Sequence, residues 1–129
     1  MKGQEDLVVC GGLSPTTDNN DVAKSSERYS ICHNKWELLP NLNVGRLRAS
    51  SCSIKATIYV FCGMNSDQVL SSVERLDLAT RSTGTTEAWQ LYNFPAIFPR
   101  CYPAVTVVHD SEIVLMGGQL YIGATCGGK

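Results

Sequence analysis

The fold is decided by the stretch IYVFCG at Ile58–Gly63, a run of β-branched and aromatic residues that ends at a glycine. Two further runs have the same form, LVVCGG at Leu7–Gly12 and IVLMGG at Ile113–Gly118. Short apolar runs that stop at glycine are typical of buried strands leading into turns. Since no segment carries a helical apolar stripe over three turns, the sequence predicts an all-β fold.

The strand-forming runs recur with a fixed period. Gly63 follows Gly12 by 51 residues, and Gly118 follows Gly63 by 55. The two tryptophans, Trp36 and Trp89, are 53 residues apart. Internal repeats of this length predict a repeat array or a propeller rather than one compact domain.

One full period contains four predicted strands, joined by polar loops and turns. The predicted strands are 49–54, 57–62, 72–78 and a last strand that carries Trp89 and Leu91. Four antiparallel strands joined by turns form one blade of a β-propeller.

The repeated motifs follow the same order in each copy. The first copy consists of Gly11, Gly12, Glu27, Arg28, Tyr29, Trp36 and Arg46. The second consists of Cys62, Gly63, Glu74, Arg75, Leu76, Trp89 and Arg100, and a third begins with Gly117 and Gly118. This pattern resembles the kelch motif of kelch-repeat β-propeller proteins, although Cys62 and Leu76 replace the usual glycine and tyrosine.

The resemblance implies an all-β fold of antiparallel four-stranded kelch blades. The chain then holds about 2.5 repeats, whereas propellers commonly have about five to seven blades. Residues 1–44 are expected to form strands 2–4 of a partial blade, and residues 45–98 a complete blade. Residues 99–129 are expected to form strands 1–2 of another partial blade and a flexible C-terminal tail. The predicted product is an incomplete β-propeller.

The motif residues are expected to have structural roles. Paired glycines allow positive φ and the close approach of neighbouring strands. Trp36 and Trp89 should each bury a large face between blades while keeping an N–H group for a partner. The motif arginines are expected to bond carbonyls or glutamates where blades meet.

The resemblance also implies a non-catalytic adaptor that binds a protein of unknown identity. Two sets of loops are expected to share one face, and kelch proteins that bind acidic peptides often use arginines there. Arg48, which lies off the motif position, is the strongest recognition candidate. An alternative for the loop at 13–25 is a solvated, mobile segment. The candidate partner-binding residues are Arg46, Arg48, Arg100, Asp18, Asn19, Asn65 and Asp67.

Enzymatic activity is not expected. Some kelch propellers are copper oxidases or sugar isomerases, but a copper site needs several converging nitrogen or phenolate ligands. The two histidines, His33 and His109, lie in predicted turns at unlike positions of their repeats. Since the chain also lacks a nucleophile elbow and a phosphate loop, no catalytic residue, metal or cofactor is predicted.

Composition argues against two classes of partner. Eleven Lys+Arg against twelve Asp+Glu give a net charge of −1, with no basic surplus for nucleic acid or an anionic membrane. No apolar run approaches the ~20 residues of a membrane span, and the polar first residues do not form a signal peptide. The expected location is cytoplasmic, with the nucleus as alternative, and the six cysteines are expected to be reduced.

A second functional hypothesis follows from the length. On this hypothesis, the chain is a truncated propeller fragment without independent function, or a piece completed by self-association. Open strand edges at both ends would expose unpaired backbone groups, which favours association.

Overall fold

The computed structural model describes residues 5–15, 21–79, 88–95 and 97–120. All named elements in these ranges are β-strands. They are β1 (Asp6–Cys10), β2 (Ser26–Ser30), β3 (Lys35–Leu39), β4 (Ser50–Ile54), β5 (Thr57–Phe61), β6 (Val73–Asp77), β7 (Gln90–Tyr92), β8 (Ala104–Val108) and β9 (Glu112–Met116).

The strands form three antiparallel sheets in chain order. The first sheet has the order β1-β2-β3, the second β4-β5-β6-β7 and the third β8-β9. The sheets do not close into a ring, and the prediction of an all-β, incomplete propeller is confirmed. The third predicted strand is shorter than expected, because regular pairing starts only at Val73, which lies opposite Phe61.

The same register recurs in each sheet. Cys10 lies opposite Ser26 in the first sheet, as Phe61 lies opposite Val73 in the second. We call the side of each sheet that carries Leu7 and Val9, Ile58 and Val60, or Ile113 and Leu115 its leading face. The opposite side, with Val8 and Cys10, Tyr59 and Phe61, or Val114 and Met116, is its trailing face.

Leading faces pack on the trailing face of the sheet before them. Ile58, Val60, Leu76 and Trp89 pack together with Leu39 and Leu42, and with Val8 and Cys10 at the edge of this cluster. A second cluster joins Phe61 and Val73 to Ile113 and Leu115. The apolar core therefore lies between sheets rather than inside one layer, as burial of both sheet faces requires.

Trp89 occupies the first of these junctions. Its side chain is 3% exposed. The indole N–H donates to the Pro40 carbonyl at 2.9 Å and to Ser26 Oγ at 3.1 Å. The expectation that Trp89 buries its ring between blades while keeping a hydrogen-bond partner is confirmed.

Trp36 differs from its counterpart Trp89. It is 53% exposed, and its ring lies against Tyr29 of its own sheet, with ring centroids 5.1 Å apart and the planes tilted by 45°. The expectation that Trp36 is buried between blades is wrong. Within the described ranges no sheet packs on the leading face of the first sheet, where Leu7, Val9 and Leu38 are exposed as well.

The paired glycines bring each sheet close to the linker that follows it. The Gly12 N–H donates to the Arg46 carbonyl at 2.7 Å, and the Gly63 N–H donates to the Arg100 carbonyl at 2.9 Å. Gly63 has a φ of +87°, and a Cβ there would lie 2.7 Å from the Leu47 carbonyl oxygen. Cys62 adopts a φ of 59° in the place of the first glycine. The predicted need for positive φ and close approach is confirmed at this turn.

Four cysteines of the described ranges are partly or fully buried: Cys10, Cys52, Cys62 and Cys101. Burial, and secondarily the charge of Glu74, raises the pKa of the Cys10 thiol to about 11. Burial also raises the pKa values of Cys52 and Cys62. The five cysteines in the described ranges are free thiols. No helix in those ranges is long and apolar enough to cross a membrane.

Candidate interaction surface

Arg46 is buried in the second sheet instead of lying at the surface. Its Nε donates to Glu74 Oε2 at 3.0 Å, and its Nη1 donates to the carbonyls of Cys62 and Ser72 at 2.9 Å each. Nη2 donates to Ser72 Oγ at 2.7 Å. With 1% of its area exposed, Arg46 presents no surface to a partner, and its contacts support a structural role.

Glu74 receives donors from the linker between the first two sheets. Its Oε1 accepts the Asn43 N–H at 2.6 Å and Asn43 Nδ2 at 2.9 Å, and its Oε2 accepts the Val44 N–H at 3.2 Å. Each carboxylate oxygen therefore has its own set of donors. The Arg46–Glu74 bond lies within the repeat of residues 45–98, and the Asn43 and Val44 donors connect Glu74 to the linker that follows the first sheet.

Arg48 lies at the surface, two residues after Arg46, and belongs to a cluster of three side chains. Its guanidinium lies 5.1 Å from the centroid of the Tyr102 ring, within the range of a cation–π interaction. Its Nη1 lies 3.8 Å from the Met64 sulfur. We call Arg48, Met64 and Tyr102 the Arg48 cluster.

Backbone hydrogen bonds hold the Arg48 cluster in place. Leu47 and Met64 exchange two N–H···O bonds of 2.9 Å, and the Tyr102 N–H donates to the Arg48 carbonyl at 2.8 Å. Both Arg48 and Tyr102 have positive φ, 59° and 55°. The cluster is therefore built on the junction between the second and third sheets, where three chain segments meet.

The loop after Met64 has its own internal order. Asn65 Oδ1 accepts the backbone N–H groups of Asp67 at 2.9 Å and of Gln68 at 3.0 Å, an arrangement that stabilises a tight turn. Asp67 is exposed, and its carboxylate has no hydrogen-bond partner among the described residues. Of these two candidates, Asp67 has a side chain free to contact a partner, whereas the Asn65 oxygen is used within the loop.

Arg100 takes the place of Arg46 in the third sheet. Its Nη1 donates to the Gly117 carbonyl at 3.0 Å, and its Nε donates to the Phe98 carbonyl at 3.1 Å. Unlike Arg46, it is only half-buried, and no carboxylate of the described residues bonds to it. It is thus a partly accessible cation at the edge of the third sheet.

Two of the predicted partner-binding residues, Asp18 and Asn19, lie outside the described residues, as does the predicted C-terminal tail from residue 121 onward. The structure brings Arg48 together with Met64 and Tyr102, two residues that sequence reasoning did not select. A signal for Tyr102 was present in the repeat, since it follows Arg48 by 54 residues and so occupies the same position of the next period.

The histidines lie in turns, as predicted, and they are not brought together. His33 lies between β2 and β3 with its Nδ1 3.1 Å from Ser30 Oγ. His109 lies in the β8–β9 turn with its Nδ1 3.8 Å from Glu112. The described residues contain no group of three or more His, Cys, Asp or Glu side chains that could hold a metal ion.

Comparison with known proteins finds similarity to kelch repeats. The family model of the kelch motif matches residues 45–82, which run from the linker before Arg46 to just beyond β6. The chain is 29% identical over 123 residues to the Kelch repeat and BTB domain-containing protein 2 of Ectromelia virus (strain Moscow). That match covers 85% of the chain and 22% of the relative, so the chain spans about a fifth of the relative's length.

Proposed function

We propose, from the premise that the chain is a kelch-repeat protein, that it is a non-catalytic adaptor module that binds another protein through its loop face. Kelch repeats are in general protein-interaction modules. The observation that carries the proposal for this chain is the Arg48 cluster, an exposed arginine on an exposed tyrosine, beside the loop that carries Asp67. Each sheet is taken as one whole or partial blade, with boundaries near residues 44 and 98.

The chemistry of the cluster favours an acidic segment as the ligand. Arg, Tyr and Met are enriched at protein interfaces, where a planar guanidinium can bind a carboxylate with two hydrogen bonds. The Tyr102 ring holds the guanidinium of Arg48, which lowers the entropy lost on binding. Loops held by a rigid sheet are also where binding residues concentrate.

The experiment selects peptides from a displayed random library on the immobilised wild-type chain. We expect enrichment of peptides with Asp or Glu beside an apolar residue. Binding of the selected peptides should fall by about 10- to 100-fold for Arg48→Gln, since a hydrogen bond to a charged group contributes about 1.5–3 kcal/mol. Tyr102→Ala should weaken binding as well, because it removes the support of the guanidinium.

Lys35→Gln is the matched control, because it removes one exposed positive charge at the start of β3, at the opposite end of the first sheet. It should leave peptide binding unchanged. Selected peptides that bind Arg48→Gln as well as the wild type would argue against the loop face. Equal losses in Arg48→Gln and Lys35→Gln would indicate general charge attraction instead.

A second candidate function, a fragment completed by self-association, is favoured by the exposed leading face of the first sheet. Leu7, Val9, Trp36 and Leu38 lie together there, and their counterparts Ile58, Val60 and Trp89 are buried in the second sheet. Contiguous exposed apolar groups of this kind mark association sites. Light scattering over a hundredfold dilution tests it: a monomer at every concentration excludes self-association, and a defined oligomer supports it.

A further inference from the structure

The Arg48 guanidinium has two partners in the protein, and neither is an oxygen acceptor. It lies over the Tyr102 ring, and its Nη1 lies 3.8 Å from the Met64 sulfur. A thioether sulfur is only a weak hydrogen-bond acceptor. In the described part of the chain no oxygen accepts a hydrogen bond from the Arg48 side chain. Its charged donors are therefore available to any oxygen that comes within reach.

Backbone pairing on both sides fixes the position of Met64. It exchanges two hydrogen bonds of 2.9 Å with Leu47, and on its other side it forms a β-bridge with Val69. The N–H of the next residue, Asn65, is also bonded within the loop, at 3.0 Å. A chemical change at the Met64 sulfur therefore alters the side chain beside Arg48 and leaves the backbone of the loop in place.

The surroundings of the Met64 side chain are open to small solutes. Met64 is half-buried, Arg48 is exposed, and residues 66–68 of the adjoining loop are exposed as well. Tyr102, on the far side of the guanidinium, is 55% exposed. Peroxides are small oxidants, and the methionine thioether is one of the two kinds of side chain that they oxidise most readily. The position of Met64 therefore makes it a candidate for oxidation.

Hydrogen peroxide converts a thioether to a sulfoxide in one two-electron step. A lone pair of the sulfur attacks one peroxide oxygen, the O–O bond breaks, and that oxygen stays on the sulfur while the other leaves as water. The sulfur is oxidised by two electrons, and the peroxide is reduced by two. The product is a neutral, polar S=O group, whose oxygen is a stronger hydrogen-bond acceptor than the thioether sulfur.

The oxygen added to Met64 comes within reach of Arg48. An S–O bond of about 1.5 Å and an N···O distance of about 2.9 Å fit the observed 3.8 Å between Nη1 and the sulfur, with a bent angle at the oxygen. Because the donor is charged, the new hydrogen bond is of the stronger, charge-assisted kind. It occupies one edge of the guanidinium, so the carboxylate of a ligand then competes with the sulfoxide for the Arg48 donors.

We propose that Met64 is a site of reversible oxidation, and that its sulfoxide bonds to Arg48 and lowers the affinity of the Arg48 cluster for acidic segments. The effect on affinity rests on the proposed loop-face function, whereas the bond between the sulfoxide and Arg48 does not. Two changes act in the same direction: the sulfoxide occupies an Arg48 donor, and a polar group replaces an apolar one beside the ligand. Methionine sulfoxide reductases reverse the reaction.

The first arm of the test needs no ligand. The whole chain is treated with hydrogen peroxide, and mass spectrometry of its proteolytic fragments measures the sulfoxide at Met64 and at Met116, which is 50% exposed. NMR correlation spectra of the arginine Nε–H groups, with the Arg48 signal identified by its absence in Arg48→Gln, should show that signal shifted after oxidation. A Met64 that stays reduced while Met116 is oxidised overturns the proposal, and so does an unshifted Arg48 signal once the Met64 sulfoxide has formed.

Met64→Leu is the matched control, because leucine has a similar volume and no sulfur. It keeps Met116 and every cysteine, so oxidation elsewhere affects the variant and the wild type alike. Peroxide should leave the Arg48 signal of this variant unshifted. An equal shift in the wild type and in Met64→Leu overturns the proposal.

The second arm measures binding of an acidic peptide that the displayed library yields on the reduced chain. Oxidation should weaken binding to the wild type about tenfold, because the peptide must displace a hydrogen bond to a charged group. It should leave binding to Met64→Leu unchanged, and methionine sulfoxide reductases A and B together should restore the affinity of the wild type.

The outcomes of the two arms separate this proposal from the loop-face function. Equal weakening of the wild type and Met64→Leu by peroxide overturns the effect on affinity, as does an unchanged affinity of the oxidised wild type. If the reduced chain yields no acidic peptide, the loop-face function fails. The Arg48 signal then decides by itself whether the Met64 sulfoxide bonds to Arg48.

Discussion

Arg46 Nε donates to Glu74 Oε2 at 3.0 Å, and the two side chains are 1% and 0% exposed. The bond joins the linker after the first sheet to β6 in the second sheet. Burial of two charges is costly unless the remaining polar atoms also have partners, and here both groups have them. The pair therefore specifies how one repeat meets the next, and the loss of either member leaves a buried charge.

Glu74→Ala should lower the free energy of unfolding by about 3–5 kcal/mol, because Arg46 then stays buried without its counter-charge. The Asn43 and Val44 N–H groups also lose their acceptor. Urea denaturation followed by circular dichroism measures the change. Glu27→Ala is the matched control, since Glu27 occupies the same position of the first sheet but is exposed, and it should change stability by less than about 0.5 kcal/mol. Similar losses of unfolding free energy in both variants would contradict a stabilising role for the buried Arg46–Glu74 pair.

Gly63→Ala should destabilise the chain by about 3 kcal/mol, because it combines a positive φ with a clash against the Leu47 carbonyl oxygen. Gly12→Ala separates the two effects. Gly12 also has positive φ, but a Cβ there meets no atom within 4 Å, so we expect a loss of about 1 kcal/mol. Thermal melting of the two variants gives the comparison, and the idea of a close backbone approach fails if their melting temperatures agree.

Trp89→Ala should lower the free energy of unfolding by about 3–5 kcal/mol, as removal of a buried aromatic side chain does. Trp36→Ala should lower it by about 1 kcal/mol, mainly through the lost contact with Tyr29. In variants that keep one tryptophan, acrylamide should quench the fluorescence of Trp36 strongly and that of Trp89 weakly. Equal quenching would show that the two rings are equally accessible.

Stability should fall as the pH rises from 9 to 11, in part because of Cys10. Burial raises the pKa of this thiol from 9.0 to about 11, so the unfolded chain loses the proton first and is favoured by alkali. The contribution of the buried Cys10 thiol to the free energy of unfolding is fully present below pH 9 and is lost as the pH approaches 11. Relative to Cys10→Ala, the wild type should lose about 2 kcal/mol of unfolding free energy over this range. Parallel pH profiles of the two proteins would exclude a raised pKa at Cys10.

Much of the fold could be predicted because the same pattern, an apolar strand that ends in glycine, occurs three times in the sequence. Strand runs that end in glycine locate β1, β5 and β9, and the turns at Lys55 and His109 follow from the breaks between apolar runs. The role of Trp89 could be predicted, whereas that of Trp36 could not. Motif position indicates which face of a strand a residue lies on, but burial depends on whether a neighbouring sheet covers that face.

The candidate site could be predicted only in part, for the same reason. Arg46, Arg48 and Arg100 are close in type and in sequence context, yet their exposures differ. Arg46 forms an ion pair with Glu74 of its own sheet, and Arg48 lies over the ring of Tyr102. Arg100 forms no ion pair with a carboxylate of the described residues. These differences arise from contacts between residues 16 to 54 positions apart, which local patterns do not contain.

The sequence by itself determined the strand periods, the all-β class and the kelch-like order of motifs, because alternation of side chains and glycine turns are local properties of the chain. Only the tertiary structure decided which repeated residues are buried and which face solvent. That outcome depends on packing between sheets: the leading face of the second sheet is covered by the first sheet, while the equivalent face of the first sheet and the outer edge of β9 have no described neighbour. Residues at the same motif position therefore differ in burial, because a neighbouring sheet covers some of them and not others.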